Sequence, residues 1–213
     1  MDFQTPAPYQ PPAPAPSHSF AERVVGALKL QRPIFDEVRR DPGAMLQAAG
    51  IVIATGLLSG IGQFATIRGQ SVDTGDRTYE VANSFLVPLL GGLGIAVAGL
   101  IFWIFGSLLF RFVALKMLGS PEAGMQWQEV ARPLGFASAP SLLLILSPIP
   151  VVGFLVGSVV GLWSFAAQIV AMSEVFRVSK WRAFAIMLVA SIGLALVLSL
   201  LLCVCILIAT ALN

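Results

Sequence analysis

The chain has 213 residues, 57% of them hydrophobic and 11% charged, with a mean hydropathy of +0.86. Soluble domains carry roughly 25% charged residues, and a 22.6 kDa globule has too little interior to hide this much apolar surface from water. A net charge of +2 without a basic block argues against nucleic acid as a partner and leaves the lipid bilayer as the solvent the composition fits.

Residues 1–19 hold six prolines and read as a disordered, polyproline-prone tail, a linker rather than a ligand for an aromatic groove. Ser19-Phe20-Ala21-Glu22 supplies a capping box that opens a helix. Phe20, Val24, Val25 and Leu28 share one face of it, Pro33 is expected to break or kink it, and Ile34, Phe35 and Val38 continue the apolar face beside Asp36, Glu37, Arg39 and Arg40. Residues 20–41 therefore read as a cytoplasmic interfacial helix, lying in the headgroup layer or packed on the membrane domain. Asp41-Pro42 follows as N-cap and first-turn proline of the first span. The first long apolar run begins only after Asp41, too late for a cleavable signal, so the spans themselves are expected to direct insertion.

Four runs without Asp, Glu, Lys or Arg follow: 42–67, 81–110, 133–173 and 183–213. Each exceeds the roughly 20 residues needed to cross about 30 Å of hydrocarbon, where only a helix satisfies its own backbone. The third run is too long for one crossing, because its 41 residues would reach about 60 Å at ~1.5 Å per residue. Ser147-Pro148-Ile149-Pro150 is the helix-breaking point near its middle, so the run is expected to double back. The reading is an all-α integral membrane protein, a five-helix transmembrane bundle over 42–213. Its spans lie near 44–67, 86–110, 131–147 (kinked at Pro140), 151–173 and 183–208. A re-entrant 131–147 segment is the alternative. The positive-inside rule favours five crossings. With the N-terminus cytoplasmic and the C-terminus outside, Arg23, Lys29, Arg32, Arg39, Arg40, Arg111, Lys116, Arg132, Arg177, Lys180 and Arg182 face the cytoplasm, and only Arg68 and Arg77 lie outside. A re-entrant third segment would move the Arg177–Arg182 loop outside and spoil that asymmetry.

The loops offer little chemistry. Asp73, Asp76 and Glu80 in the 68–84 loop match no EF-hand spacing and read as a solvated loop. In the 119–132 loop, Ser120-Pro121 can start a short helix to which Met125, Trp127 and Val130 give apolar surface. Trp127 and Trp181 suit the interface belt. His18, the single histidine, sits in the tail, which removes a His-based dyad or an intramembrane His metal site. No Asp falls in a span, and Cys203 and Cys205 point to nearly opposite faces of one helix. Neither phosphate-loop nor dinucleotide fingerprints occur. The expectation is no enzyme, cofactor or metal. The ionisable residues nearest the spans are Arg111, Arg132, Glu174 and Arg177. Glu174 and Arg177 are spaced i, i+3 for a mutual ion pair at the interface, and a proton or substrate path is the sharper alternative.

Small residues carry the clearest pattern. Gly153, Gly157 and Gly161 form a stripe on the fourth span, Gly56 and Gly60 on the first, and Ser191, Ala195 and Ser199 on the fifth. Such stripes let helix backbones approach closely, within one bundle or between copies in a homo-oligomer.

Three stretches resemble the Yip (Ypt-interacting protein) domain family, most closely its bacterial members. They are RPIFDEVRRDP at 32–42, VARPLGFASAP at 130–140, and IPVVGFLVGSVVGLWSFAAQIVAMSEVFRVSKWRAFAI at 149–186. The resemblance spans nearly everything but the Pro-rich tail. It implies five spans behind a cytoplasmic arm and a non-enzymatic organiser or adaptor in the cell inner membrane, binding an unidentified protein partner on the cytoplasmic face. Arg111, Arg132, Pro140, Glu174 and Arg177 are the interface candidates. The eukaryotic relatives work with Rab-type GTPases, but their signature stretches are not matched, so that partner is not carried over. The reading that competes is a small transporter or channel component, which would need a polar cavity at the bilayer midplane.

Overall fold

The computed structural model describes residues 18–67, 69–73, 78–81, 84–119, 125–149 and 151–211; the Pro-rich tail through residue 17, the helix start expected at Ser120-Pro121, and Arg68, Asp76, Arg77 and Pro150 lie outside them. Two short helices, α1 (Phe20–Leu28) and α2 (Arg32–Arg40), precede the long helix α3 (Ala44–Ile67). A two-stranded antiparallel pair, β1 (Ser71–Asp73) with β2 (Thr78–Glu80), follows α3 in the stretch expected to be a solvated loop of an all-α chain. Then come α4 (Leu86–Leu118), α5 (Trp127–Ala137), a 3-10 helix over Ala139–Leu146, α6 (Val152–Val175) and α7 (Lys180–Ala211). Four segments among the described residues are long and apolar enough to cross a membrane: Ala44–Ala65, Leu86–Leu118, Trp127–Leu146 and Val152–Val175. The outward faces of α4 and α7 carry exposed Leu93, Val97, Ile101, Phe105, Ile192, Leu196 and Leu200, as surfaces solvated by acyl chains do.

The third crossing segment differs in kind from the helix expected at 131–147. It starts earlier, at Trp127, where the Gln126 N–H donates to Glu129 Oε1. Pro133 sits inside α5, and Pro140 lies in the first turn of the 3-10 helix that takes over at Ala139. The change of type lengthens the segment. At ~1.5 Å per residue in the α part and ~2.0 Å in the 3-10 part, its 20 residues supply about 32 Å of rise, the thickness of the hydrocarbon core. Its neighbours agree: Gly135 lies against Ala48 near the start of α3, Ser141 Oγ is 3.0 Å from Ser164 Oγ in mid-α6, and the Leu144 carbonyl faces Gly62 towards the end of α3.

The glycines separate into two groups. α3 and α4 run antiparallel, and Gly56 and Gly60 press on the Cα atoms of Ala96 and Gly92; a Cβ at Gly60 would sit 2.5 Å from the Gly92 Cα. Successive contacts four residues apart on each helix make this a small-residue seam. The α6 stripe is different. Gly153 meets the Ser147 carbonyl in the turn that reverses the chain, but Gly157 and Gly161 have no heavy atom within 4 Å of a would-be Cβ. Within the chain, then, those two do not bring helices together. Ser191 and Ser199 on α7 are likewise exposed.

We expect Gly60→Leu to force α3 from α4 and destabilise the bundle by on the order of 1–3 kcal/mol, while Gly157→Leu leaves the melting temperature of the detergent-solubilised monomer unchanged. A larger loss for Gly157→Leu than for Gly60→Leu would contradict this packing.

Candidate functional site: a charged cap on the bundle end

The residues of 20–41 form two helices, with the break at Lys29–Gln31 rather than at Pro33, which sits in the first turn of α2 where a proline is tolerated. The predicted capping box is present: the Ser19 N–H donates to Glu22 Oε2 at 2.8 Å and the Glu22 N–H to Ser19 Oγ at 3.4 Å. α1 ends with Leu30 at φ 57°, its N–H donating to the Ala27 carbonyl and that of Gln31 to the Gly26 carbonyl at 2.9 Å. This is a Schellman ending, with leucine where glycine is usual. It turns the chain back so tightly that a Cβ on Gly26 would collide with Ile34. The hairpin packs on α5 and α6; Ala27, Ile34, Phe35 and Val38 belong to one core with Phe136, Met172, Val175, Ile186 and Met187. Trp163 Nε1 fastens it further by donating to the Leu28 carbonyl at 2.9 Å.

The inward face of α1 takes in only half of its expected apolar face, since Val24 and Leu28 pack on the core. Phe20 and Val25 are about half exposed, whereas Arg23, Gly26 and Ala27 are buried. Arg23 is only 3% exposed. Its Nη2 and Nε lie 2.9 Å from Glu37 Oε1, and its Nη1 is 2.7 Å from Asp41 Oδ2 and 3.1 Å from Gln47 Oε1. One guanidinium thus ties α1 to α2 and to the head of α3. His18 Nδ1 adds a 2.6 Å contact to Glu37 Oε2. Burial opposes the Arg23 charge, yet the bonds to Asp41 and Glu37 outweigh it and hold its pKa above the ordinary arginine value. Burial would likewise raise Glu37, but the bonds from His18 and Arg23 hold it below the usual carboxylate range. The Arg23 bond holds Asp41 low, against a smaller opposing effect of burial. Asp41 also caps the next helix, its Oδ1 accepting from the Gly43 N–H at 2.8 Å.

The other predicted residues occupy separate places. Arg132 is buried and donates from Nη1 to the Arg39 carbonyl at 2.7 Å, and Arg39 sits 3.4 Å from both Asp36 and Glu129. Arg111 Nε donates to the Met125 carbonyl at 2.7 Å, joining the end of α4 to the segment before α5. Pro140 is fully buried in the 3-10 helix. Glu174 and Arg177 depart from expectation. Their side chains form no ion pair among the described residues, because Arg177, at φ 50°, sits at the turn that ends α6. Both instead line a polar pocket with Arg32, Asp36 and Ser173. Sequence reasoning passed over Arg23, although an arginine spaced three and four residues from Gly26 and Ala27 marks a face suited to close packing.

A family model for the Yip1 domain matches residues 29–202. The chain belongs to the Yip1 domain family. No curated protein and no solved structure matches it. The Yip1 domain match begins at Lys29 and ends at residue 202, so it takes in α2 to α6 and the greater part of α7.

A second feature lies within the Yip1 domain's crossing segments. A cavity of about 330 Å³ between α3, α4, α5 and α6 is lined by Thr55, Ser59, Trp103, Ser107 and Gln168, with no ionisable side chain. Trp103 Nε1 at its edge donates to the Ala131 carbonyl at 2.8 Å. Among the described residues no cluster of three His, Cys, Asp or Glu is placed to hold a metal.

Arg23→Ala should cost about 2–3 kcal/mol, below the ~3–5 of a fully buried pair because Glu37 and Asp41 keep some solvent. Since both carboxylates are held low in the folded state, their contribution is complete above about pH 4.5 and is lost as pH falls through the lowered values. The gap in detergent melting temperature between wild type and Arg23→Ala should therefore close as pH falls through those lowered values; a gap constant with pH would mean the lock is not ionic.

Proposed function

We propose that this Yip1 domain protein is a non-enzymatic membrane organiser or adaptor that meets its partner through the charged cap. α7 completes a five-span bundle with the N-terminus and cap in the cytoplasm and the C-terminus outside the inner membrane. The α1–α2 hairpin lies at the headgroup layer, as the eleven basic residues assigned to that side support. The observation that carries the reading is the one-sided gathering of charge. Arg23, Asp36, Glu37, Arg39, Arg40, Asp41, Glu129 and Arg132 form one layer at one end, while the cavity between the spans holds hydroxyls and an amide. The partner would dock on the outer face of α1, where Val25 and Lys29 are exposed. Phe35 and Val38 are buried in the core, so removing the hairpin would damage the fold as well as any docking surface.

The intramembrane cavity favours a second reading, passage of a small neutral solute; with no charged lining it offers nothing to couple transport to protons or ions. The Gly157–Gly161 face, open in the monomer, is where a homo-oligomer would close.

Val25→Glu with Lys29→Glu should strip the partner captured from native membranes in mild detergent while the melting temperature stays put. Specific solute flux in reconstituted vesicles, abolished by Ser107→Leu in the cavity, would instead place transport first.

A further inference from the structure

Two pockets lie in series along one face of α6. The first, about 420 Å³, is apolar and lined by Leu30, Ala166, Ile169, Val170, Trp181 and Phe184, together with Lys180. The second, about 410 Å³, is polar and lined by Arg32, Asp36, Ser173, Glu174, Arg177 and Val178. Residues 166, 169, 170, 173 and 174 follow helical spacing on α6 and Arg177 sits in the turn at its end, so the pockets are the two halves of one stripe, Val170 and Glu174 being about 6 Å apart along the axis. The apolar half lies on the membrane side, and the polar half at the end of the span.

The charges are arranged for a ligand of both signs. Asp36 is already engaged by Arg39 and Arg40. Among the described residues Arg32, Arg177 and Glu174 have no ion pair, so two guanidiniums and one carboxylate converge without neutralising each other. A simple anion would meet Glu174 and the negative end of the α6 dipole. A headgroup with a phosphate for the arginines and a hydrogen-bonding ammonium for the carboxylate satisfies all three.

The backbone points the same way. Both elements that border the groove end in Schellman turns whose left-handed position is not glycine: Leu30 (φ 57°) after α1 and Arg177 (φ 50°) after α6. After α6 the Val178 N–H donates to the Ser173 carbonyl at 3.0 Å and the Arg177 N–H to the Glu174 carbonyl at 3.4 Å. Glycine would close either turn with less strain. Each position instead carries a side chain that lines the groove, leucine in the apolar half and arginine in the polar half. Strained positions of this sort collect where the side chain has work to do.

We propose that this groove is a binding site for one glycerophospholipid with an ammonium-bearing headgroup, phosphatidylethanolamine. Arg32 and Arg177 hold its phosphate, Glu174 accepts from its ammonium, and an acyl chain lies along Leu30, Ile169 and Phe184. The site rests on the α6 groove alone and holds whichever partner the cap takes.

The full-length chain is reconstituted in nanodiscs of equal phosphatidylethanolamine and phosphatidylglycerol, extracted in mild detergent, and its retained lipid read by native mass spectrometry. Wild type should keep one phosphatidylethanolamine. Arg177→Gly should melt at the same or a higher temperature, because its turn is relieved, yet retain on the order of tenfold less lipid. Glu174→Gln should keep a lipid but lose the preference for phosphatidylethanolamine over phosphatidylglycerol. Equal retention of the two lipids by wild type, or retention untouched by Arg177→Gly, would overturn the assignment.

Discussion

A guanidinium withdrawn from water must be surrounded by charge and hydrogen-bond acceptors, and Arg23 meets that requirement with groups from two other helices and the junction between them: Glu37 of α2, Asp41 at the junction and Gln47 of α3. α1 and α2 are nine residues each, too short to hold a helical shape unaided. They persist because the ionic lock and the apolar face of Ile34, Phe35 and Val38 bind them to α5 and α6. Without the lock α1 keeps Ala27 in the core, Val24 and Leu28 packed against it, the Trp163 bond to its last carbonyl and an edge contact of Phe20 with Phe136.

Much else is placed by that docking. Leu30, held by the end of α1, walls the apolar half of the α6 groove, and Arg32 at the start of α2 walls the polar half. Arg39, at the other end of α2, offers its carbonyl to Arg132 and its guanidinium to Glu129, which fixes the head of α5. Deeper in the bundle a different force takes over. With no hydrophobic drive between helices in lipid, α3 and α4 are held by the close approach that Gly56 and Gly60 allow.

The fold was largely legible because charge marks where a chain leaves the bilayer. The runs bounded by Asp41, Arg68, Glu80, Arg111, Arg132 and Glu174 place the long helices, although α4 runs on past Arg111 to Leu118 and α5 starts ahead of Arg132 at Trp127, and the chain turns at Ser147-Pro148 within the break expected at 147–150. Helical periodicity could not show that the third segment would change to a 3-10 helix at Ala139, since that follows from tertiary fit beside α3 and α6. A glycine stripe states that close packing is possible, not that a neighbour is there, which is why the stripe on α6 read like the seam on α3 while only the latter meets a helix. Arg23 was hidden by its type, because arginine ordinarily faces solvent and its burial depends on acids 14 and 18 residues away. Leu30 and Arg177 were hidden for a related reason: without glycine, nothing local announces a left-handed turn.

A buried ionic lock makes α1 and α2 a fixed part of the membrane domain. Backbone hydrogen exchange over residues 20–40 of the full chain in nanodiscs at neutral pH tests it most directly. The lock predicts slow exchange across both helices in the wild type and loss of protection, first in α1, in Arg23→Ala. Rapid exchange of residues 20–28 in the wild type, unchanged in the variant, would contradict it.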